Sequence, residues 1–587
     1  MIRYAIDVAA THRHAFSVEL RIDEPAAAQR LSLPVWIPGS YLVREFARHV
    51  FDLVAEQAGA PVPLVQLDKA TWRADCTPGA ALVVRYRVYA FDTSVRAAFL
   101  DPSRGFFNGT SVCLRVEGRE AVEHVLATVG LPEGWDVATS LPARAGAGAH
   151  EFVASDYDAL VDHPVELGRF WRAQFDVAGV PHELVVAGAL PDFDGERLLG
   201  DVARICATEV RFWHGEGKPP FDRYLFVLNA VEDGRGGLEH RSSTALVASR
   251  RDLPRLAAFD AGARVNGRSE PSDGYVGVLG VVAHEYFHAW NVKRLKPRDH
   301  ATLDYARENY TELLWFFEGF TSYYDDLLLL RSGVIDAPRY LKLLATTISG
   351  VLASPGRAVQ SVAAASFDAW VKYYRADENT PNATISYYAK GSLVALALDL
   401  TLRGTGAGSL DDVMRLLWRK SAGGAIDEAD IAAALEEVGG RSFERELAEW
   451  VHGTGELPLA ELLQRFAVDV EPQPATLAQR LGVRVNESAL TGVKVSHVLR
   501  DGAGERAGVA AGDELIAIGG WRVRRLDDAL RAIAPAGETA LLVGRDQRVL
   551  ALALDAAALT GAGAVQLKPR ADGDAEARRR YEAWLAG

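Results

Sequence analysis

Two histidines four residues apart, His284 and His288, enclose a glutamate in the run VVAHEYFHAWN. On an α-helix, positions i and i+4 lie one above the other on a single face. Two imidazoles so placed can share one Zn²⁺, and Glu285 between them can reach a water on that ion. The chemistry this spacing points to is metal-assisted hydrolysis, with Glu285 as general base. Val281, Val282, Ala283, Phe287 and Trp290 surround the motif with apolar side chains, so the helix that carries it can be buried. A zinc site that keeps a position open for water needs a third protein ligand. The downstream candidate is Glu318, in LWFFEGFTSYYDDLLLL.

H-E-x-x-H followed by W-x-x-E-G-x-T-x-Y-Y resembles the gluzincin metallopeptidases, and HEYFHAWNVKRLKP is most similar to their M61 (glycyl aminopeptidase) family. Residues 289–317, between the second histidine and Glu318, form a longer insert than the M1 aminopeptidases usually have. That favours M61 over M1 and sets the loop around Lys293 to Arg307 apart from M1 geometry. PVWIPGSYLVREF, Pro34 to Phe46, also resembles an M61 N-terminal segment, so the resemblance covers nearly the whole chain.

The resemblance implies one Zn²⁺ per chain, held by His284, His288 and Glu318, with Glu285 as the catalytic base. GGLEH, running from Gly236 and Gly237 to His240, resembles the G-x-M-E-N segment of M1 enzymes, whose glutamate holds the substrate's free α-amino group. This implies a substrate-binding role for Gly236, Gly237 and above all Glu239. SYYAKG resembles the Y-x-K-G segment whose tyrosine hydrogen-bonds the developing oxyanion, which implies Tyr388, with Tyr387 as the adjacent alternative. Asp325 lies on the same helical face as Glu318 and is a candidate to orient a zinc-bound imidazole. His240 reads as structural or cleft-lining rather than as a ligand, because the ligand set is complete without it.

Three functions compete. One is a zinc aminopeptidase that releases small N-terminal residues, Gly or Ala. A zinc endopeptidase would share the metal chemistry without needing Glu239 or a free amine. An inactive, PDZ-bearing peptide-binding protein would need neither Glu285 nor Tyr388, yet both are present.

The composition narrows the rest. A chain of 587 residues holds about three or four domains. A net charge of −14 disfavours nucleic acid as a partner. Cys76, Cys113 and Cys206 are few and far apart, suiting a reducing compartment rather than a disulfide framework. MIRYAIDVAATHRHAF lacks the apolar core of a secretory signal, and no run is apolar for long enough to span a membrane. The expectation is a cytoplasmic enzyme acting on peptides.

The elements that must position these residues follow from periodicity. YAIDVA, HAFSVELRI and ALVVRYRVYAF alternate apolar with polar side chains, as half-buried strands do. HELVVAGAL and RYLFVLNAV read as strands around the helix ERLLGDVARICATEVRFWHG, and GRGGLEHRSSTALVAS as a glycine-rich turn entering an edge strand. The metal helix is expected over 281–291, a second over Thr311–Arg331 with Gly333 after it, a third from Asp336, and a fourth over Ser386–Leu402. Ser409 with Asp412, and Asp427 with Asp430, have the form of N-caps.

EPQPATL reads as a linker, and RDGAGERAGVAAGDELIAIGGWRV resembles a PDZ domain. Such a domain implies a peptide C-terminus or strand as ligand, with Leu481-Gly482-Val483 as the carboxylate loop. LDDALRAI reads as a helix within it, and ARRRYEAWLAG as a final helix whose arginines face solvent. The expected fold is therefore multidomain α+β. It has a β-rich N-terminal domain (1–175), a thermolysin-like zinc peptidase domain (176–335) with an α-helical C-terminal part (336–470), a small PDZ domain (471–560) and a tail (561–587).

Overall fold

The computed structural model of the protein describes residues 1–146, 148, 150–258, 264–265, 268–488, 490–570 and 574–587, with the backbone alone at 264–265 and 268–269. Two compact units emerge. One is Met1–Asn309 with Ser332–Ile335 and Gly423–Ala425; the other is Tyr310–Arg331, Asp336–Ala422 and Ile426–Gly587.

The first unit begins with the alternation of half-buried strands. Along Ile2–Asp7, Ile2, Tyr4 and Ile6 are fully buried and the residues between them are not. This strand pairs antiparallel with Ala15–Ile22, Ile2 opposite Ile22, and parallel with His124–Val129, inside a seven-stranded sheet. Two four-stranded sheets complete the β-rich region around a core that includes Phe16, Trp72, Tyr86 and Phe107.

A five-stranded sheet follows, in the order Trp171–Val177, Val180–Ala187, Tyr224–Val231, Ser243–Ser249, Arg235–Glu239. The three middle strands are parallel, and Arg235–Glu239 closes one edge antiparallel, Gly237 opposite Leu246. The GGLE segment is thus itself the edge strand, not a turn leading into one. Leu238 alternates into the core while the glycines keep the outer backbone bare.

Helix α1, Gly195–His214, starts at Asp194, whose carboxylate accepts the Arg197 N–H. Helix α2, Asp273–Phe287, starts at the Ser272 cap, well before the expected Val281, and ends at His288 instead of running to 291. Val276, Leu279, Val282 and Ala283 give it a buried stripe from its first turns. It stops because the chain reverses. Leu295 N–H bonds to Trp290 O (2.9 Å), Val292 N–H bonds to Leu295 O (2.8 Å), and Val292 has φ 123°, which no right-handed helix allows.

In the second unit, α3 (Leu314–Arg331) begins three positions later than Thr311, and Gly333 follows it with φ 71°. Asp336 caps α4 (Ala337–Leu352), and Ser386 caps α5 (Tyr387–Thr405). Both expected capping boxes form, Ser409 with Asp412 and Asp427 with Asp430. Helices α3 and α5 cross where Gly319 meets Gly391; a Cβ on Gly319 would lie 2.6 Å from Gly391 Cα.

The PDZ region is a sheet of Val483–Ser488, Gly492–Val498, Glu514–Ile518, Glu538–Arg545 and Arg548–Asp555, with the short strand Trp521–Arg522 beside the third. Val493, Val495, Leu515, Leu541 and Val543 lie in its own core. LDDALRAI forms a 3₁₀ turn, Asp527–Ala532, rather than an α-helix. The expected linker is partly strand. Val468–Pro472 pairs antiparallel with Val565–Pro569, so the domain hangs from a two-stranded stalk.

The final helix, α6 (Ala575–Ala586), exposes Arg578 and Arg579 but buries Trp584. Trp584 Nε1–H donates to Tyr323 Oη (3.0 Å). Arg331 and Arg403 donate to the Trp584 and Ala583 carbonyls (3.2 and 3.1 Å), satisfying the helix's open C-terminal end. No described helix is long and apolar enough to cross a membrane.

Candidate active site

The last turn of α2 carries His284 and His288 with their Nε2 atoms 3.0 Å apart and their rings nearly perpendicular, at 88°. His288 is 1% exposed, and its Nδ1 lies 2.7 Å from Asn291 O. A carbonyl can only accept, so Nδ1 carries the proton and the Nε2 lone pair faces His284. The chain reversal after α2 therefore fixes the tautomer that metal binding requires.

Glu285 is buried at 6% exposure and lies against the edge strand. A Cβ on Gly237 would sit 2.3 Å from Glu285 Oε1, so only glycine leaves the carboxylate its place. Arg96 Nη2 donates to Gly237 O (3.2 Å) and braces that strand from the β-rich region. Gly236, beside it, has φ 152° and open space around its Cα.

At the strand's end Glu239 is 4% exposed. A Cβ on Gly39 would fall 2.4 Å from Glu239 Oε1, so the turn at Gly39, itself at φ 91°, presses directly on this carboxylate. Neither Gly39 nor Arg96 stood out in the sequence. PVWIPGSY marks the Gly39 segment only as part of a longer motif.

The loop after α2 is braced. Lys293 Nζ lies 2.6 Å from Asp162 Oδ1. Arg294 donates to the carbonyls of Arg241 (2.9 Å), Ala289 (2.6 Å) and Pro220 (2.8 Å). His240 lines a cavity here and is 1% exposed.

In the second unit, Glu318 is 2% exposed on the first turns of α3. Asp325 is half-buried about two turns along the same helix. Tyr388 opens α5, half-buried, with its Oη 3.3 Å from Tyr374 Oη; Tyr387 is fully buried. Burial first, then Glu318 and the neighbouring tyrosines, push the Tyr388 phenol well above its usual pKa. His284 and His288 of the first unit and Glu318 of the second are each buried or half-buried and each offers one donor atom. Two imidazoles and a carboxylate are a donor set that fits Zn²⁺ with a position to spare.

The class of protein that sets such a helix against such an edge strand is the metallopeptidase. Family models match in three places: the peptidase M61 N-terminal domain over residues 3–169, M61 glycyl aminopeptidase over 277–394 and a PDZ domain over 494–545. The chain is 36% identical to an aminopeptidase N family protein of known structure from Idiomarina loihiensis, with all of both chains covered and a TM-score of 0.91. The chain belongs to the M61 glycyl aminopeptidase family and is a metalloaminopeptidase, a hydrolase whose family implies zinc.

It is also similar to an M1 zinc metallopeptidase from Deinococcus radiodurans, at 16% identity over 78% of this chain and 94% of that one (TM-score 0.47). Native yeast LTA4 hydrolase matches at 14% identity over 79% and 70% (TM-score 0.46). The comparison with curated proteins returns no match.

Proposed function

We propose that the protein hydrolyses the N-terminal peptide bond of peptides with small first residues, Gly or Ala, using one Zn²⁺ held by His284, His288 and Glu318. The observation that carries the reading is the convergence of the two Nε2 atoms, 3.0 Å apart, beside a buried Glu285. Two imidazoles and a carboxylate are a ligand set that suits Zn²⁺. Zinc, when bound, polarises the scissile carbonyl and lowers the pKa of water towards about 7.

The protein's own groups do the rest. Glu285 takes the proton of the attacking water and passes it to the leaving amine. Tyr388 keeps its proton near neutral pH and donates it in a hydrogen bond to the developing oxyanion. Arg235–Glu239 is an edge strand with no side chain at Gly236 and Gly237, and an extended peptide is proposed to add beside it, the Gly237 carbonyl being already held by Arg96. Glu239, at the end of that edge, receives the substrate's ammonium group. Asp325 is proposed to orient a zinc-bound imidazole.

The PDZ domain is proposed to take a peptide C-terminus or strand along Val483–Ser488, the first strand of its sheet, after the Leu481-Gly482-Val483 loop. Three free, buried cysteines support a reducing compartment, and we place the enzyme in the cytoplasm.

The test compares an Ala-led or Gly-led peptide with its N-acetylated twin, with and without a chelator. Release of the first residue from the free-amine peptide alone, abolished by the chelator, is expected. Equal internal cleavage of both peptides would make the protein an endopeptidase instead.

A further inference from the structure

Beyond Glu239 lies a cavity of about 80 Å³ that the chemistry above leaves unused. Its walls are the turn at Gly39, the end of the edge strand and the loop after α2. Two polar side chains facing it are almost fully buried. Glu239 is 4% exposed, and among the described residues no group hydrogen-bonds its carboxylate. His240 is 1% exposed with no hydrogen bond at either ring nitrogen; the nearest carboxylate oxygen, Asp162 Oδ1, is 3.4 Å from its Nδ1.

The charges around the cavity do not cancel evenly. Asp162 is fully engaged, by Lys293 Nζ at 2.6 Å and by the Arg241 backbone N–H at 3.0 Å. Burial alone would raise the Asp162 pKa, but Lys293, His240 and Arg241 hold it well below the usual carboxylate range. Lys293 is thereby neutralised. The side chains of Lys296 and Arg241 remain against one further lining carboxylate, Asp158, which takes the Tyr305 hydroxyl (2.9 Å); among the described residues neither cation has a carboxylate within ion-pair distance.

Burial, then Arg241 and Lys293, depress the Lys296 pKa, outweighing the opposing pull of Asp162 and Asp158. Part of that depression is a field that disfavours a cation, and such a field favours an anion. The cavity is therefore bipolar, with an acceptor for an ammonium at Glu239 and, at the other end, two cations set against the single carboxylate of Asp158.

We propose that this cavity is a specificity pocket for an acidic N-terminal residue, whose α-ammonium rests on Glu239 while its side-chain carboxylate reaches Lys296 and Arg241. The proposal rests on Glu239 as the amine anchor and extends the substrate class from small residues to Asp and Glu. A carboxylate there would complete the charge balance of Lys296 and Arg241 against Asp158, and the neutral isostere Gln would not.

The experiment measures kcat/KM of the zinc-loaded enzyme on Glu-led, Gln-led and Gly-led peptide amides, for the native chain, Lys296→Met and Lys296→Arg. The native enzyme is expected to prefer Glu over Gln by about tenfold or more, the discrimination typical of a charged hydrogen bond. Lys296→Met should bring that ratio to about one, and Lys296→Arg should keep it. Because each variant is read as a ratio, a general loss of folding does not imitate the result.

A native ratio near one, or a ratio untouched by Lys296→Met, overturns the proposal. So does inhibition by free glycine as strong as by free glutamate, which would put an α-carboxylate in the pocket instead. Failure of the amine anchor shows separately, as Gly-led and N-acetyl-Gly-led peptides cleaved alike, and removes the pocket with it.

Discussion

At Gly237 a Cβ would fall 2.3 Å from Glu285 Oε1, and at Gly39 it would fall 2.4 Å from Glu239 Oε1. Each glycine reserves the ground on which a carboxylate stands. Gly237→Ala must push Glu285 aside, and a displacement of that order typically costs about a hundredfold in rate. The expectation is a drop in kcat of that size with zinc still bound, checked by steady-state kinetics beside metal analysis. Tyr388→Phe removes one oxyanion donor and should cost about 10²–10³ in kcat with little change in KM; a variant within a factor of two of native turnover would remove Tyr388 from the chemistry. The metal motif was legible because its logic is local, with His284, Glu285 and His288 set by one helical period. The glycines were not, because each matters only through a residue from a distant segment, Gly39 through Glu239 and Gly237 through Glu285.

At the scale of elements, α2 is tied to its sheet through the non-ligand Tyr286 of HEYFH. His182, on the strand Val180–Ala187, lies 2.9 Å from Val180 O through Nδ1 and 2.8 Å from Tyr286 Oη through Nε2. The first contact forces a proton onto Nδ1, so Nε2 accepts from Tyr286. Burial lowers the His182 pKa from 6.5 to about 4. Between those values the unfolded chain binds a proton that the folded one does not, so stability rises with pH across the window. The contribution, about 3 kcal/mol, is complete above pH 6.5 and lost as pH falls towards 4. Melting temperature against pH should therefore climb over this range in the native protein and climb less in His182→Gln; parallel curves would discard the assignment. Periodicity found α2 but misjudged its ends. Its start is a serine cap before a stretch with apolar residues on several faces, and its stop is a reversal held by Leu295.

Across the whole molecule, the fold class was readable from strand alternation, caps and two motifs, whereas the closing contacts were not. Nothing in ARRRYEAWLAG announces that Trp584 is fully buried against Tyr323, or that Arg331 and Arg403 hold the end of its helix. Trp584→Ala should leave a cavity costing about 3–5 kcal/mol, seen as a lower melting temperature of the transition that includes α3. An unchanged melting profile would mean that α6 folds apart from it.

The stalk has a different kind of consequence. Pro472 stands opposite Val565 in the antiparallel pair, so the chain departs for the PDZ domain and returns from it at neighbouring points. Everything between those two residues is topologically a cassette. A tight loop of a few residues could join the strands in its stead, as it does in any hairpin, at a small cost in closure entropy. A chain shortened in this way is expected to keep its turnover on dipeptides while losing what the cassette recognises and the bonds that Val498 O and Arg500 N–H make to Asn382. Other recognition modules could be exchanged at the same socket without disturbing the register of the strands that carry them.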